Sequence, residues 1–286
     1  MGRVFVNWAN SAGSFTDSPA CPPLPSRSGP PACIPATARN RPPPGSPACW
    51  RNWSDAMAKA EGALTITLGA VPVTLLPDRA VLWEDTIFVA DVHLEKAAFF
   101  QREGFPVPEG SDQDDLARLD ALLTAHSARR LVVLGDFFHR PPRPGGTLDR
   151  ALHHWLTEQQ ARGRTVHGVR GNHDRERPSW SPTYPIAWAP APWPCGPLLC
   201  VHEPEEAKGL KPEQPWLAGH LHPGYRMKGL RKEQLYGPVF WQQGNGLILP
   251  AFGSLTGTVP VTPARGDALY LLQGGGIYPV PSPRSA

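Results

Sequence analysis

The chain reads as an α/β domain behind a Pro-rich tail, and three observations carry that expectation. From Leu64 onward, short β-type runs alternate with runs of helical period. Asp, Asn and His recur just past the ends of the β-type runs. Residues 1–56, rich in Pro, Ser, Ala and Gly, show neither period.

Leu64–Leu68, Val71–Leu76, Ala80–Trp83 and residues 86–90 are predicted strands, separated by Gly, Pro and Asp. A helix is expected to start at Ser111, where Asp114 three residues later makes a capping-box-like pair. Leu116, Leu119, Leu122 and Leu123 give that helix one apolar face. Arg130–Leu134 is a buried-strand run that ends on Gly135-Asp136. Residues 148–160 form the next helix, with Leu148, Leu152, Trp155 and Leu156 inward. Strands are then predicted at Thr165–Val169, at 198–201 and at Trp216–Ala218, leading to Gly171-Asn172, His202 and Gly219-His220. A Gly244-Asn245-Gly246 turn joins residues 239–242 to 247–250 as a hairpin, and 268–272 is a later strand.

The 286 residues, 41% of them apolar, suffice for one large core, expected over 57–286. No apolar run reaches the roughly 20 residues that span a bilayer, and the N-terminus lacks the pattern of a signal peptide. The expectation is a soluble cytoplasmic protein with no membrane partner. Of five cysteines, Cys21, Cys33 and Cys49 lie in the tail, and Cys195 and Cys200 have neither metal-pair spacing nor the numbers for a disulfide framework. The tail cannot bury enough apolar surface to offset its ordering entropy, so it is expected to be disordered. Met57 follows it directly, which leaves two readings: translation starting at Met57, or a genuine flexible extension.

The net charge of +3 comes from the tail, where five arginines face two aspartates. Residues 57–286 therefore balance, which excludes a generally basic nucleic-acid binder. Phosphate affinity must come from a local patch or from bound metal.

Asp91-Val92-His93, Gly135-Asp136, Gly171-Asn172-His173-Asp174, His202 and Gly219-His220-Leu221-His222 form an ordered series. Residues beyond strand carboxyl ends converge in open α/β sheets. Asp91 and His93, two apart on extended chain, project to one side. Asp136 has two oxygens and can bridge two ions; Asn172 adds an amide oxygen and His202, His220 and His222 add imidazoles, which suit Mn, Fe, Zn or Ni. Two divalent cations held together clamp the attacking and leaving oxygens of a phosphoryl displacement and make hydroxide available near neutral pH. Two carboxylates offset only half of their charge, so the site attracts phosphate.

This series resembles the calcineurin-like metallophosphoesterase family, whose pattern is D-x-H, G-D, G-N-H-D or G-N-H-E, a single His, and G-H-x-H. The resemblance implies two packed mixed β-sheets flanked by helices. It implies that Asp91, His93, Asp136 and His222 hold one metal, and that Asp136, Asn172, His202 and His220 hold the other. It gives His173 a role facing the substrate, stabilising the transition state or protonating the leaving oxygen. Asp174 is then a carboxylate orienting His173 or a nearby group.

Residues 90–96, 135–139, His202-Glu203-Pro204, 219–223 and 249–257 look closer still to the bacterial ligase-associated DNA damage response endonucleases. That group implies DNA as substrate, manganese as metal, and a DNA ligase, a helicase and an exonuclease as repair partners. Residues 176–197, rich in Pro and Trp, match nothing in the pattern.

His139, three past Asp136, is either a structural histidine or a supporter of the site. Lys96 either pairs with Glu95 in solvent or meets a phosphate. Arg226, Lys228, Arg231 and Lys232 are either a solvated face or a nucleic-acid backbone patch. Trp180, Tyr184, Trp188 and Trp193 read better as core or sheet-edge cover than as a base-stacking surface. His126, His153, His154 and His167 are expected to be structural. The leading expectation is dimetal hydrolysis of a DNA phosphodiester. The alternatives are a small-nucleotide phosphodiesterase or phosphatase, and a catalytically silent module within a repair complex.

Overall fold

The computed structural model describes residues 62–107, 110–174, 184–228 and 234–281. Residues 1–56, Trp180, Arg231, Lys232 and the side chain of Lys228 lie outside the described residues.

A first, seven-stranded sheet runs in chain order: β1 (Leu64–Leu68), β2 (Val71–Leu76), β3 (Ala80–Trp83), β4 (Thr86–Val89), β5 (Arg130–Leu134), β6 (Thr165–Val169) and β7 (Ile186–Ala189). The first four pair antiparallel through short turns, whereas β4 to β7 are parallel. Parallel neighbours need crossovers, and α2 (Ser111–Ala125) and α3 (Thr147–Ala161) supply two of them. A shorter helix, α1 (Lys96–Arg102), follows β4.

The second sheet is mixed. Its main path is β14 (Val259–Pro260), β11 (Pro223–Lys228), β12 (Gln234–Gln243), β13 (Gly246–Ile248), β10 (Trp216–Ala218), β9 (Leu198–Cys200) and β8 (Trp193–Cys195). The hairpin β15 (Ala268–Gln273) and β16 (Gly276–Val280) joins it on β12. The expected Gly244-Asn245 turn closes β12 onto β13, with Gln243 opposite Gly246.

Alternation along each strand divides the apolar residues between two layers. Phe88, Val132, Leu134 and Val169 point from the first sheet to meet Leu198, Cys200, Leu217, Phe240 and Leu247 of the second. Ile87, Val89, Leu131 and Val133 face the other way, against Leu119, Leu123, Leu152 and Leu156 of α2 and α3. The fold is thus two mixed sheets packed face to face, with helices outside the first. Cys195 and Cys200 are buried free thiols in the inter-sheet layer.

Several local expectations need correction. Ser111 is the first helical residue of α2, and Gly110 in a left-handed conformation is its N-cap, so no capping box forms. The carboxylate of Asp112 instead accepts the amide of Glu95 at 3.2 Å. Glu95 pairs with Arg102 at 3.7 Å, not with Lys96. Tyr184, Trp188 and Trp193 pack on the two apolar layers, and His167 stacks on Trp193 at 5.3 Å between centroids. Among the described residues no helix is long and apolar enough to cross a membrane.

Candidate metal centre

Every predicted ligand lies just past the carboxyl end of a strand. Asp91 and His93 follow β4, Asp136 follows β5, Asn172 follows β6, His202 follows β9, and His220 and His222 follow β10. The first three strands belong to one sheet and the last two to the other, so the ligands meet at one end of the inter-sheet layer. Backbone bonds fasten this end: His93 and Leu94 amides donate to Asp136 and Phe137 carbonyls, and Gly219 donates to His202.

The chain turns sharply under the ligands. Among the described residues nine non-glycine residues have positive φ, and five of them are Asp91, His93, Asp136, His220 and His222. Left-handed backbone costs a non-glycine residue about 1–2 kcal/mol, so strain is concentrated where ligands must be aimed. Gly135 lies directly against a ligand. Its φ is +81°, and a Cβ there would lie 2.1 Å from Nδ1 of His202.

The side chains gather into two adjoining groups, Asp91–His93–His222 and Asp136–His202–His220. In the first, Nε2 of His93 faces Nε2 of His222 at 3.4 Å, and the latter lies 3.5 Å from Oδ1 of Asp91. In the second, Nε2 of His202 lies 3.1 Å from Nδ1 of His220, 2.9 Å from Oδ1 of Asn172 and 3.5 Å from Oδ2 of Asp136. That same Asp136 oxygen is 3.8 Å from Nε2 of His93. One carboxylate oxygen therefore faces both groups, as a bridging ligand requires.

The donor set fits cations rather than a hydrogen-bond network. Nδ1 of His202 lies 2.9 Å from the Leu134 carbonyl. A carbonyl only accepts, so Nδ1 carries a proton, and in the neutral ring Nε2 presents a lone pair. That lone pair points at the oxygens of Asn172 and Asp136, an arrangement that repels unless a cation sits among them. Burial, with Lys96 and the neighbouring imidazoles adding repulsion, pushes the His93 pKa down to about 2, which keeps that ring a neutral ligand. Burial also raises the pKa of Asp136, a cost that bound cations would offset.

The polar residues behind the ligands set their aim. Both oxygens of Asp91 accept the His220 amide, at 2.9 and 3.1 Å. Glu206 accepts the amide of His202 at 3.0 Å; sequence reasoning passed over this residue. Asp174 is buried, and its carboxylate accepts the amides of Gly171, Phe137 and Phe138 at 3.1, 3.4 and 3.4 Å. It thus braces the two loops that carry Asp136 and Asn172. The partner of His173 is instead the His139 carbonyl, 3.1 Å from Nδ1. Burial, with the nearby Asp136 charge, raises the Asp174 pKa to about 6. Asp174→Ala strips the acceptor from buried amides, each worth about 1–3 kcal/mol when unsatisfied. It is expected to lower stability by roughly 3 kcal/mol in urea unfolding, with metal affinity falling about 10- to 100-fold in titration.

His173 is exposed and its amide donates to Oδ1 of Asp136 at 2.9 Å. His139 lies beside it, with ring centroids 4.8 Å apart, and beside His93 at 5.6 Å. Nδ1 of His139 is buried without a hydrogen-bond partner, and burial with the nearby His173 lowers its pKa to about 4. The three imidazoles of His93, His139 and His173 form a cluster on one flank of the metal groups. Lys96, at the start of α1, donates to Oγ1 of Thr256 at 3.3 Å. Arg226 lies on β11, four residues beyond His222, with its guanidinium 5.5 Å from the ring centre of Tyr236.

The family model of the calcineurin-like phosphoesterases matches residues 85–243, more than half of the chain and the whole of this ligand series. The chain belongs to the calcineurin-like phosphoesterase family. As a member it is a metal-dependent phosphoester hydrolase, of a family built on a dimetal centre. The crystal structure of the Pseudomonas putida nuclease MPE is similar to this phosphoesterase, with a TM-score of 0.62 and 31% identity, covering 76% of this chain and 100% of that one. Yfce, a phosphoesterase from E. coli, gives a TM-score of 0.36 at 17% identity, over 66% of this chain and 88% of its own. No curated protein matches the chain.

Proposed function

We propose that this phosphoesterase cleaves phosphodiester bonds in DNA, as a cytoplasmic manganese enzyme working beside a DNA ligase, a helicase and an exonuclease. The observation that supports it most is the 31% identity to a nuclease matched over that protein's full length. In this reading Asp91, His93, Asp136 and His222 hold one ion, and Asp136, Asn172, His202 and His220 the other. When bound, such a pair neutralises charge on the phosphoryl oxygens and makes hydroxide available near neutral pH. Asp136 fixes the spacing of the two groups. His173, with Nδ1 committed to the His139 carbonyl, is left with Nε2 to hold a proton for the departing oxygen. His139 keeps that ring in place through its carbonyl and its adjacent, tilted imidazole.

The balanced charge of residues 57–286 favours a second reading, a small-nucleotide phosphodiesterase, because such a substrate needs no extended basic surface. One comparison separates the two. Wild-type enzyme with manganese is offered a single-stranded oligonucleotide, bis-p-nitrophenyl phosphate and cyclic or linear mononucleotide esters. DNA is expected to be cleaved with the highest kcat/KM, and chelation is expected to stop all turnover. Higher kcat/KM on the mononucleotide esters than on DNA sinks the nuclease reading. Reconstitution with zinc, iron or nickel at equal occupancy checks the metal assignment.

A further inference from the structure

The segment after β13 carries the Phe252-Gly253-Ser254-Leu255-Thr256-Gly257 run, and none of its residues is a ligand. It nevertheless runs along the metal groups. The Phe252 amide donates to the Ala90 carbonyl at 2.8 Å and the Gly253 amide to the Asp91 carbonyl at 3.2 Å. Only glycine allows this contact, since a Cβ on Gly253 would lie 2.2 Å from the Val92 carbonyl oxygen. Asp115 of α2 clamps the turn by accepting from the amide and hydroxyl of Ser254 at 3.0 and 3.2 Å. Arg118 bonds the Phe252 carbonyl at 3.0 Å and lies 4.1 Å over its ring. Farther along, the Val259 amide donates to the carbonyl of His222 at 2.8 Å.

Two side chains are tied to this braced segment. Thr256 is buried and its hydroxyl takes the ammonium of Lys96. Thr258 binds the hydroxyl of Tyr236 twice, donating at 2.7 Å through Oγ1 and accepting at 3.1 Å through its carbonyl. Tyr236 is one of three large apolar residues left exposed among the described residues, at 39%. Its hydroxyl end reaches over Gly224, two residues from His222, where a Cβ would lie 2.9 Å from the tyrosine oxygen. Arg226 sits opposite Tyr236 in the β11–β12 register. A fixed, exposed ring beside a cation is a stacking platform for a nucleobase. Lys96 and Tyr236 are thus anchored on residues two apart, at most about 7 Å of chain.

We propose that the segment 252–258 is a strand guide, setting Lys96 on a substrate phosphate and Tyr236 under a neighbouring nucleobase of one polynucleotide chain. The charge balance supports the first half. Asp91 and Asp136 offset only two of the four charges of a divalent pair, so Lys96 is surplus as a counter-ion and finds its own counter-charge in an anion. Its charge is felt at His93 and His139, which places it on the flank where those imidazoles gather.

The proposal rests on the nuclease reading, and its test keeps the two apart. Oligonucleotide cleavage is followed as kcat/KM across a salt series, and separately on oligonucleotides carrying one abasic site at each position in turn. Lys96→Gln is expected to flatten the slope of log kcat/KM against log salt by about 0.7, and Lys96→Arg to restore it. Tyr236→Leu is expected to lower kcat/KM on DNA about tenfold more than on bis-p-nitrophenyl phosphate. It should also erase the penalty of one abasic position, while Tyr236→Phe, which keeps the ring, retains that penalty. An unchanged salt slope in Lys96→Gln, or an abasic profile in Tyr236→Leu identical to wild type, overturns the guide while leaving the nuclease reading intact. Wild type that leaves DNA uncut overturns both.

Discussion

Asp136→Asn is expected to weaken both metal positions at once and to lower turnover on any phosphodiester by on the order of 10³-fold. The reason is the place of one oxygen. Oδ2 lies 3.5 Å from His202 and 3.8 Å from His93, so it belongs to both groups. The amide keeps the shape but loses the charge, and its NH₂ in place of Oδ2 would turn donors toward the sites of two cations. The other oxygen accepts the His173 amide, a bond an Asn carbonyl reproduces. Asn also tolerates the left-handed backbone that Asp136 adopts at φ 51°. The metal-free fold should therefore survive, which thermal unfolding in chelator checks. Metal content by mass spectrometry and turnover on bis-p-nitrophenyl phosphate complete the measurement. A variant that retains two ions per chain and wild-type turnover would show that the carboxylate does not bridge.

His173→Ala is expected to leave metal content unchanged and to slow DNA cleavage by roughly 10²- to 10⁴-fold, the usual worth of a positioned proton donor. Its side chain touches the His139 carbonyl, not a ligand carboxylate, so the ion positions keep all their donors. The loss should be smaller on bis-p-nitrophenyl phosphate, whose leaving group departs as a stable anion and needs little help from an acid. Equal losses on both substrates would instead assign His173 to the binding of the phosphoryl group.

How legible this was in the sequence depended on where the information sits. The ligands could be read because each follows a strand whose apolar run is visible, as Arg130–Leu134 before Asp136 and Trp216–Ala218 before His220. Four strands were hidden by proline: β8 contains Pro194, β11 opens on Pro223, β14 ends on Pro260 and β16 contains Pro279, and a strand proline reads as a break. The seven residues of α1 are too few to show a helical period. The partners of Asp174 were not legible because it adjoins His173 in sequence, whereas the turn carries its carboxylate back under Gly171. Thr256 was out of reach because its partner Lys96 is 160 residues away, a pairing that no local pattern encodes. Glu206 left one trace, its spacing three after Glu203 ahead of a short helical turn.

The positive-φ ligands change how any mutational survey of this centre must be interpreted. At Asp91, His93, Asp136, His220 and His222 an alanine keeps the backbone strain that the native residue already carries and removes the donor atom, whereas a glycine also relieves that strain. The difference between the two replacements measures torsion rather than coordination. Alanine is therefore the replacement that isolates coordination at these five positions, and a glycine scan alone would understate their chemistry.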